Sequence, residues 1–228
     1  DDLTLVIPAK YEKESLPIVM EELQKYNWKT TIVLEKTDQS TIKAIEKFSC
    51  KILFQKNKGY GDALIQGINY VHTKFFCIFN ADGSFDPIEL SNMYKKILQD
   101  GNDLIFASRY EKNCSSDDDR IITYAGNFIF TKIGQIFFNL RITDILYTFV
   151  MGNTSKVQSL NLCYKDFSFC IELPIKANKN KLLITTSKAN ERARIGGKKK
   201  VNAFKDGFLI LKSMISLFFT KWWSIFFR

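Results

Sequence analysis

Histidine is nearly absent from this chain, and its cysteines fall in no bonding pattern. The one histidine, His72, closes a segment of helical periodicity, so a Ser/His/Asp triad or a histidine-rich metal site has little material. The five cysteines (Cys50, Cys77, Cys114, Cys163, Cys170) are odd in number and lack Cys-x-x-Cys spacing, which argues against a disulfide framework and a zinc site. Cys77 lies in an apolar run and reads as a small core residue, and the set fits a reducing cytosolic setting. There is no internal repeat and no low-complexity tract. The carboxy-terminal tail is apolar, but its longest uncharged stretch, Ser213 to Thr220, falls far short of the roughly 18–20 residues of a spanning helix. No leader is legible; the chain opens on Asp1 without Met, which leaves targeting open.

What is present fits one large α/β domain with a short appendage. The chain has 228 residues, 46% hydrophobic and 25% charged, which excludes wholesale disorder. Aromatic content is high at 14%, with 20 phenylalanines. The net charge of +9 is uneven: residues 176–228 hold 13 Lys or Arg against Glu191 and Asp206, so the body is near neutral and the tail strongly basic. Such asymmetry points to an anionic partner for the tail, against the plainer reading of a solvated basic face.

The first 107 residues alternate strand and helix patterns. Strands are expected at Leu3–Ile7, Thr30–Leu34, Lys51–Phe54, Phe75–Phe79 and Asp103–Ala107, with helices at Glu14–Tyr26, Ser40–Phe48, Asp62–Val71 and Pro87–Gln99 between them. This alternation predicts a mostly parallel sheet covered by helices on both faces, whose ligands bind beyond the carboxyl ends of the strands. The chemistry-bearing loops fall there: Pro8–Glu14, Glu35–Asp38, Asn80–Ser84 and Ser108–Arg109. Farther on, the pattern gives a polar loop at Glu111–Arg120, helices at Tyr124–Leu140 and Asp166–Ala177, and a strand near Leu182–Thr186. The consecutive Asp117, Asp118 and Asp119 read as a solvated loop, because neighbouring side chains diverge. The tail, Ala203–Arg228, sets Lys and Arg among Phe, Trp and Leu, which fits a helix lying in a membrane interface or one packed on the domain or a partner subunit.

Three motifs carry chemistry. Asn80-Ala-Asp82-Gly-Ser84 follows an apolar strand, where a carboxylate can share Mg²⁺ or Mn²⁺ with substrate phosphates; Asp-Gly is also ordinary turn chemistry. Gln55 to Asp62, with Gly59 and Gly61, lets backbone approach a phosphate at a helix start, but lacks the P-loop spacing and its Lys-Ser/Thr ending. Arg192 to Lys200 concentrates five positive charges in nine residues around Gly196 and Gly197, which suits a phosphate or a solvated loop. A nucleic-acid reading fits the charge but lacks a helix-turn-helix or an RNP-type pattern.

Together these segments resemble the family-2 glycosyltransferases of GT-A fold, most closely the dolichyl-phosphate mannose synthase-like, polyprenyl-phosphate glycosyltransferase branch. Val6 to Glu14 resembles the family's V-I-P-A-Y-N-E-E-E, Asn57-Lys58-Gly59-Tyr-Gly61 its N-x-G-x-G-x-A, and Asn80 to Pro87 its D-A-D-x-x-x-D-P. Ala107-Ser-Arg109 is similar to G-S-R, Thr143-Asp144 to T-D-x-x-x-G/S, and Arg194 to Lys200 to R-x-x-G-x-S-K. The resemblance runs from Leu3 to about Gly207, and the order and spacing of the motifs carry it.

The resemblance implies an α/β, Rossmann-like GT-A domain over residues 1–202 and an amphipathic membrane-interfacial tail over 203–228. It implies inverting transfer from a nucleotide sugar to a polyprenyl phosphate at the cytoplasmic face of a membrane, with a sugar or glycolipid hydroxyl acceptor, or a silent nucleotide-sugar-binding subunit, as alternatives. It gives no role to nucleic acid, and leaves the tail to a membrane, a membrane subunit or a second copy. Pro8, Ala9, Glu12, Glu35, Asp38, Lys58, Gly59, Asn80, Ala81, Asp82 and Arg109 are the implied donor-binding residues. Asp82 and Ser84 would hold Mg²⁺ or Mn²⁺, and Arg109, Arg194 and Lys200 would hold phosphates. Asp82, Arg109 and Asp144 are the implied catalytic set, with Asp144, then Glu172, as the base for a hydroxyl acceptor. Three departures stand out: Asn80 replaces the first motif Asp, Lys10 replaces a Tyr beside the base, and Glu35-Lys-Thr-Asp38-Gln-Ser-Thr41 replaces D-D-G-S-x-D-G-T.

Overall fold

The computed structural model describes residues 2–118, 121–196 and 202–226. Its first half follows the expected alternation: β1 (Leu3–Pro8), α1 (Leu16–Gln24), β2 (Lys29–Leu34), α2 (Gln39–Ala44), β3 (Lys51–Phe54), α3 (Tyr60–Tyr70), β4 (Phe75–Ile78), α4 (Pro87–Asp100) and β5 (Leu104–Ser108). The second half adds α5 (Ile121–Phe138), β6 (Val150–Asn153), α6 (Thr154–Gln158), α7 (Phe169–Lys179), β7 (Ile184–Lys188) and α8 (Ala203–Phe226). The seven strands form one sheet in the order β3-β2-β1-β4-β6-β5-β7, parallel except for β6, which runs antiparallel between β4 and β5. This is the α/β architecture that the alternation predicts. Neither β6 nor α6 is anticipated: β6 ends in Gly152 and Asn153, which weaken a strand signal, and α6 is only five residues long.

Strand β1 shows how the layers are specified. Its alternate residues Leu3, Leu5 and Ile7 join Leu16, Val19 and Met20 of α1 and Leu90 and Met93 of α4 on one face. Val6 faces the other way and joins Leu64 and Ile68 of α3, residues of α7, and Ile210 and Met214 of α8. Burial on both faces is why the strand reads as a continuous apolar run. Helix α8 is therefore packed on the domain along its inner side, with Gly207 beside Phe130 and Phe218 edge-on to Phe137 and Phe138 of α5.

The glycine pair at the start of α3 serves packing. A Cβ at Gly59, whose φ is +122°, would lie 2.1 Å from the Lys165 carbonyl oxygen, and one at Gly61 would lie 2.2 Å from that of Tyr164. The Asp62 N–H donates to the Lys165 carbonyl at 3.0 Å. The chain's own backbone thus takes the close approach that the sequence offered to a phosphate. Gly61→Ala is expected to lower stability by at least about 2 kcal/mol through overpacking against backbone that cannot yield, read as a shifted urea midpoint.

Candidate active site

The carboxyl ends of β1, β4 and β5 open into a cavity of about 460 Å³, a size suited to a small-molecule ligand. Pro8, Ala9, Glu12, Glu35, Gly59, Asn80, Ala81, Asp82, Ser84, Arg109 and Arg194 line it. Asp38, Lys58 and Asp144 are not on its wall, and Lys200 lies outside the described residues.

Loops at the strand ends are fixed by side-chain acceptors. Buried Asp38 accepts from the Tyr11 N–H at 2.6 Å, caps α2 through the Thr41 N–H at 3.2 Å, and accepts from Ser40 Oγ at 2.9 Å. Burial works against its charge, but these hydrogen bonds outweigh burial and hold the carboxyl below its ordinary range. Asp38 therefore shapes the Lys10–Glu12 turn from behind, where Tyr11 adopts a left-handed φ of 54°. Glu35 pairs with Lys10 at 2.8 Å, and that hydrogen bond lowers the Glu35 pKa and raises that of Lys10.

Asp82 follows the fully apolar β4. Its Oδ1 accepts from the Ser84 N–H at 3.0 Å and from Ser84 Oγ at 2.7 Å, while its Oδ2 lies 3.6 Å from Arg194 Nη2. Ser84 thus orients Asp82. The Asp82 turn is sewn to the basic segment: the Ile195 N–H donates to the Asp82 carbonyl at 2.8 Å, and the Arg192 N–H to that of Ser84 at 2.9 Å. The Arg192 guanidinium donates to the Gly83 and Phe85 carbonyls and forks onto Glu22 at 2.8 and 3.1 Å. Arg194 forks onto Asp118 at 2.8 and 3.1 Å. Asp118 therefore stands on the cavity wall beside Arg194, which corrects its reading as part of a solvated loop; Asp119 lies outside the described residues.

Arg109 is the most buried cation here. Its Nε and Nη2 donate to Asp144 at 2.8 and 3.0 Å, its Nη1 donates to Glu191 at 3.0 Å, and its guanidinium carbon sits 4.4 Å from the Tyr147 ring centroid. Burial alone would lower its pKa, but the two carboxylates overcome that and raise it well above the ordinary value. Asp144 also accepts from the Arg109 N–H and from Asn127 Nδ2, and its side chain is fully buried. Both Asp144 oxygens are thus engaged twice over, an arrangement suited to holding Arg109 in place. Glu172 is likewise fully buried, accepting from the Cys163 and Tyr164 N–H groups and pairing with Lys176 at 2.7 Å.

Sequence reasoning missed Glu191, Tyr60 and Tyr147 on the wall. Glu191 holds Arg109 and Ser116; its only sequence signal is an isolated acid in a basic segment. The Tyr60 hydroxyl hydrogen-bonds with Thr148 at 2.7 Å and lies 3.5 Å from Asn80 Oδ1. The buried Tyr147 hydroxyl has no partner among the described residues, a state normally met by a ligand or water. Tyr147→Phe is expected to leave the melting temperature in place and weaken donor binding about three- to tenfold, the scale of one net hydrogen bond. Titration calorimetry with a nucleotide sugar measures this; unchanged affinity would mean that the hydroxyl meets no part of the donor.

Among the described residues, the wall carries seven carboxylates against three cationic side chains. No group of three or more described His, Cys, Asp and Glu residues converges as a metal cage there. One carboxylate oriented at a strand end in an acidic cavity suits Mg²⁺ or Mn²⁺, ions that take one or two protein carboxylates and complete their shell with substrate phosphates and water. The residues present therefore fit such an ion.

Comparison with known proteins identifies the family and the fold. Residues 4–160 match the family model of glycosyl transferase family 2. The chain is 25% identical over 149 residues to an uncharacterized protein of Methanocaldococcus jannaschii, covering 63% of this chain and 61% of that one. It is 27% identical over 109 residues to an uncharacterized glycosyltransferase of Mycobacterium bovis, covering 48% of this chain and 49% of that protein. The chain thus spans about half to three fifths of these two relatives. A UDP-N-acetylglucosamine–dolichyl-phosphate N-acetylglucosaminyltransferase of Methanococcus voltae is 24% identical over 204 residues, 79% of this chain and 81% of that one. Among solved structures, glucosyl-3-phosphoglycerate synthase of Mycobacterium tuberculosis in complex with UDP superimposes with a TM-score of 0.73 at 12% identity, covering 95% of this chain and 79% of that one. The same enzyme has been crystallised with Mn²⁺, UDP-glucose and phosphoglyceric acid. At that identity the likeness establishes the GT-A fold alone.

Proposed function

We propose that this chain, which belongs to glycosyl transferase family 2, transfers a sugar from a nucleotide-sugar donor to a polyprenyl phosphate at the cytoplasmic face of a membrane, inverting the anomeric carbon. One observation carries the choice of acceptor: among the described residues, each carboxylate on the cavity wall already accepts a hydrogen bond or pairs with a cation. Glu12 accepts from Ser15 Oγ, Glu35 pairs with Lys10, Asp82 accepts from Ser84, and Asp118 pairs with Arg194. Asp166 accepts from the Ser168 N–H, Glu191 pairs with Arg109, and Asp206 accepts from the Asn202 N–H. A hydroxyl acceptor needs a general base to take its proton. A phosphate acceptor arrives ionised and needs none. The dolichyl-phosphate transferase relative, matched over 79% of this chain, supports the same choice.

In this reading Pro8, Ala9 and Glu12 cradle the nucleoside, and Asp82, oriented by Ser84, holds the divalent ion. When bound, Mg²⁺ or Mn²⁺ would neutralise the charge gathering on the departing diphosphate. Arg194, with Lys200, holds phosphate oxygens, and Arg109, fixed by Asp144 and Glu191, presents a permanent cation to the cavity. Rate enhancement rests on positioning and on charge stabilisation of an oxocarbenium-like transition state. No described helix is long and apolar enough to cross a membrane; this reading places the described chain at the membrane surface.

The test is transfer of radiolabelled sugar from GDP- or UDP-linked donors into a butanol-extractable product. Label that enters the lipid phase only with a polyprenyl phosphate supports the reading. Label that stays in water while a soluble sugar hydroxyl is glycosylated refutes it.

A further inference from the structure

A second cavity lies at the far edge of the sheet from the candidate active site. The active site opens at the carboxyl ends of the strands. This groove, of about 740 Å³, is framed by the amino ends of β1, β2 and β3 and by the loops that lead into β2, β3 and β4. It is larger than the active-site cavity and falls in the size range of small-molecule sites. None of the sequence motifs reaches it, and the glycosyl-transfer reading makes no use of it.

Its wall differs in kind from that of the active site. Among the described residues it carries Lys29, Lys51 and His72 and no carboxylate, against seven carboxylates in the other cavity. The described lysine ion pairs use Lys10, Lys47, Lys156 and Lys176, which leaves Lys29 and Lys51 without a carboxylate partner among the described residues. Lysines facing a groove that holds no acid draw anions into it. Two aromatic rings stand on the same wall. The Trp28 indole is held in place, stacked on Tyr26 at 4.9 Å and met edge-on by Tyr94 at 5.8 Å. Tyr70, 38% exposed, has Lys51 Nζ 6.0 Å from its ring centroid and the His72 ring also at 6.0 Å. Thr30 and Thr31, both buried, add hydroxyl donors to the lining. Flat apolar rings beside unpaired cations suit a molecule that is itself both aromatic and negatively charged.

We propose that this groove is a second ligand site that takes a small aromatic anion, its ring against Trp28 and Tyr70 and its phosphate or carboxylate toward Lys29, Lys51 and His72. The active-site cavity, acidic without a divalent ion, is a poor host for the same molecule, so the two sites divide ligands by charge. Strand β1 joins them, with Thr4 in the groove and Pro8 on the active-site wall. A mononucleotide and a simple aryl phosphate share this chemistry. The inference uses neither donor nor acceptor and stands apart from the glycosyl-transfer reading.

The probe is 1-naphthyl phosphate, titrated calorimetrically into the full chain with EDTA present to keep divalent ions from the active site. One saturable site per chain is expected. Naphthol and inorganic phosphate should each bind at least about tenfold more weakly, because each brings only the ring or only the charge. Lys29→Gln/Lys51→Gln is expected to weaken binding about tenfold, a few-fold for each exposed ion pair. Both lysines are exposed, so this variant should keep the wild-type melting temperature. Asp82→Ala should bind the probe as wild type does, which places the probe outside the active site. Uridine monophosphate that binds under the same conditions, and is weakened by the same lysine pair, would support a mononucleotide as the occupant; naphthyl phosphate that binds without it would support a simpler aryl anion. Wild-type chain that takes up no naphthyl phosphate overturns the proposal. So does binding that the lysine pair leaves unchanged, that Asp82→Ala abolishes, or that naphthol matches.

Discussion

Replacing Asp82 by alanine is expected to lower turnover at least about a thousandfold, the loss seen when a principal electrostatic element of a transition state is removed. Asp82 is the carboxylate that β4 delivers to the cavity, with one oxygen fixed by Ser84 and the other near Arg194. Among the described residues the wall around it carries more negative than positive groups, which disfavours an unscreened diphosphate there. A divalent ion at Asp82 would offset part of that charge and set a local positive centre beside the diphosphate. Asn80 contributes no charge, so one carboxylate bears the whole electrostatic role at this strand end. Asp82→Asn is the sharper variant: it keeps an oxygen for Ser84 and loses only the charge, and should lose nearly as much turnover as alanine. The checks are kcat/KM and Mn²⁺ binding followed by electron paramagnetic resonance. Wild-type Mn²⁺ affinity in Asp82→Asn would place the ion elsewhere.

The second large effect is expected at Asp144, as lost stability with lost activity. Asp144→Ala leaves the Arg109 guanidinium, 10% exposed, with Glu191 as its remaining ionic partner. Breaking one side of a buried pair costs about 3–5 kcal/mol, so the urea midpoint should fall steeply. Turnover should fall with it, because Arg109 loses the fork that aims it. The pH–rate profile separates positioning from base catalysis. A base at Asp144 would give an acidic limb that disappears in Asp144→Asn. A positioning role predicts that the profile of Asp144→Asn keeps the wild-type shape at a lower height.

The sequence made the central sheet legible because its strands are buried on both faces and its helices carry clear apolar stripes. Leu3, Leu5 and Ile7 against Val6 illustrate this. The site was legible wherever a functional residue follows a recognisable strand, as Asp82 follows β4 and Arg109 follows β5. It was illegible where placement depends on pairing between distant segments. Glu191 reaches Arg109 only because β7 runs parallel beside β5, and Tyr147 reaches it only because the chain turns into the antiparallel β6. The surroundings of Asp144 were illegible for the same reason: a Thr-Asp pair in sequence does not reveal that Arg109 and Asn127 will engage both oxygens. Helix α5 was visible as a helix, but the burial of Asn127 and Thr131 was not, because inward and outward faces are assigned only once α5 meets the domain.

The most direct test of the central claim is nucleoside diphosphate release from a panel of GDP- and UDP-sugars with Mg²⁺ or Mn²⁺, with and without a short polyprenyl phosphate. Release that requires both the ion and the lipid phosphate, and that vanishes in Asp82→Ala, is the expected result. Donor that binds but yields no diphosphate with any polyprenyl phosphate would contradict it.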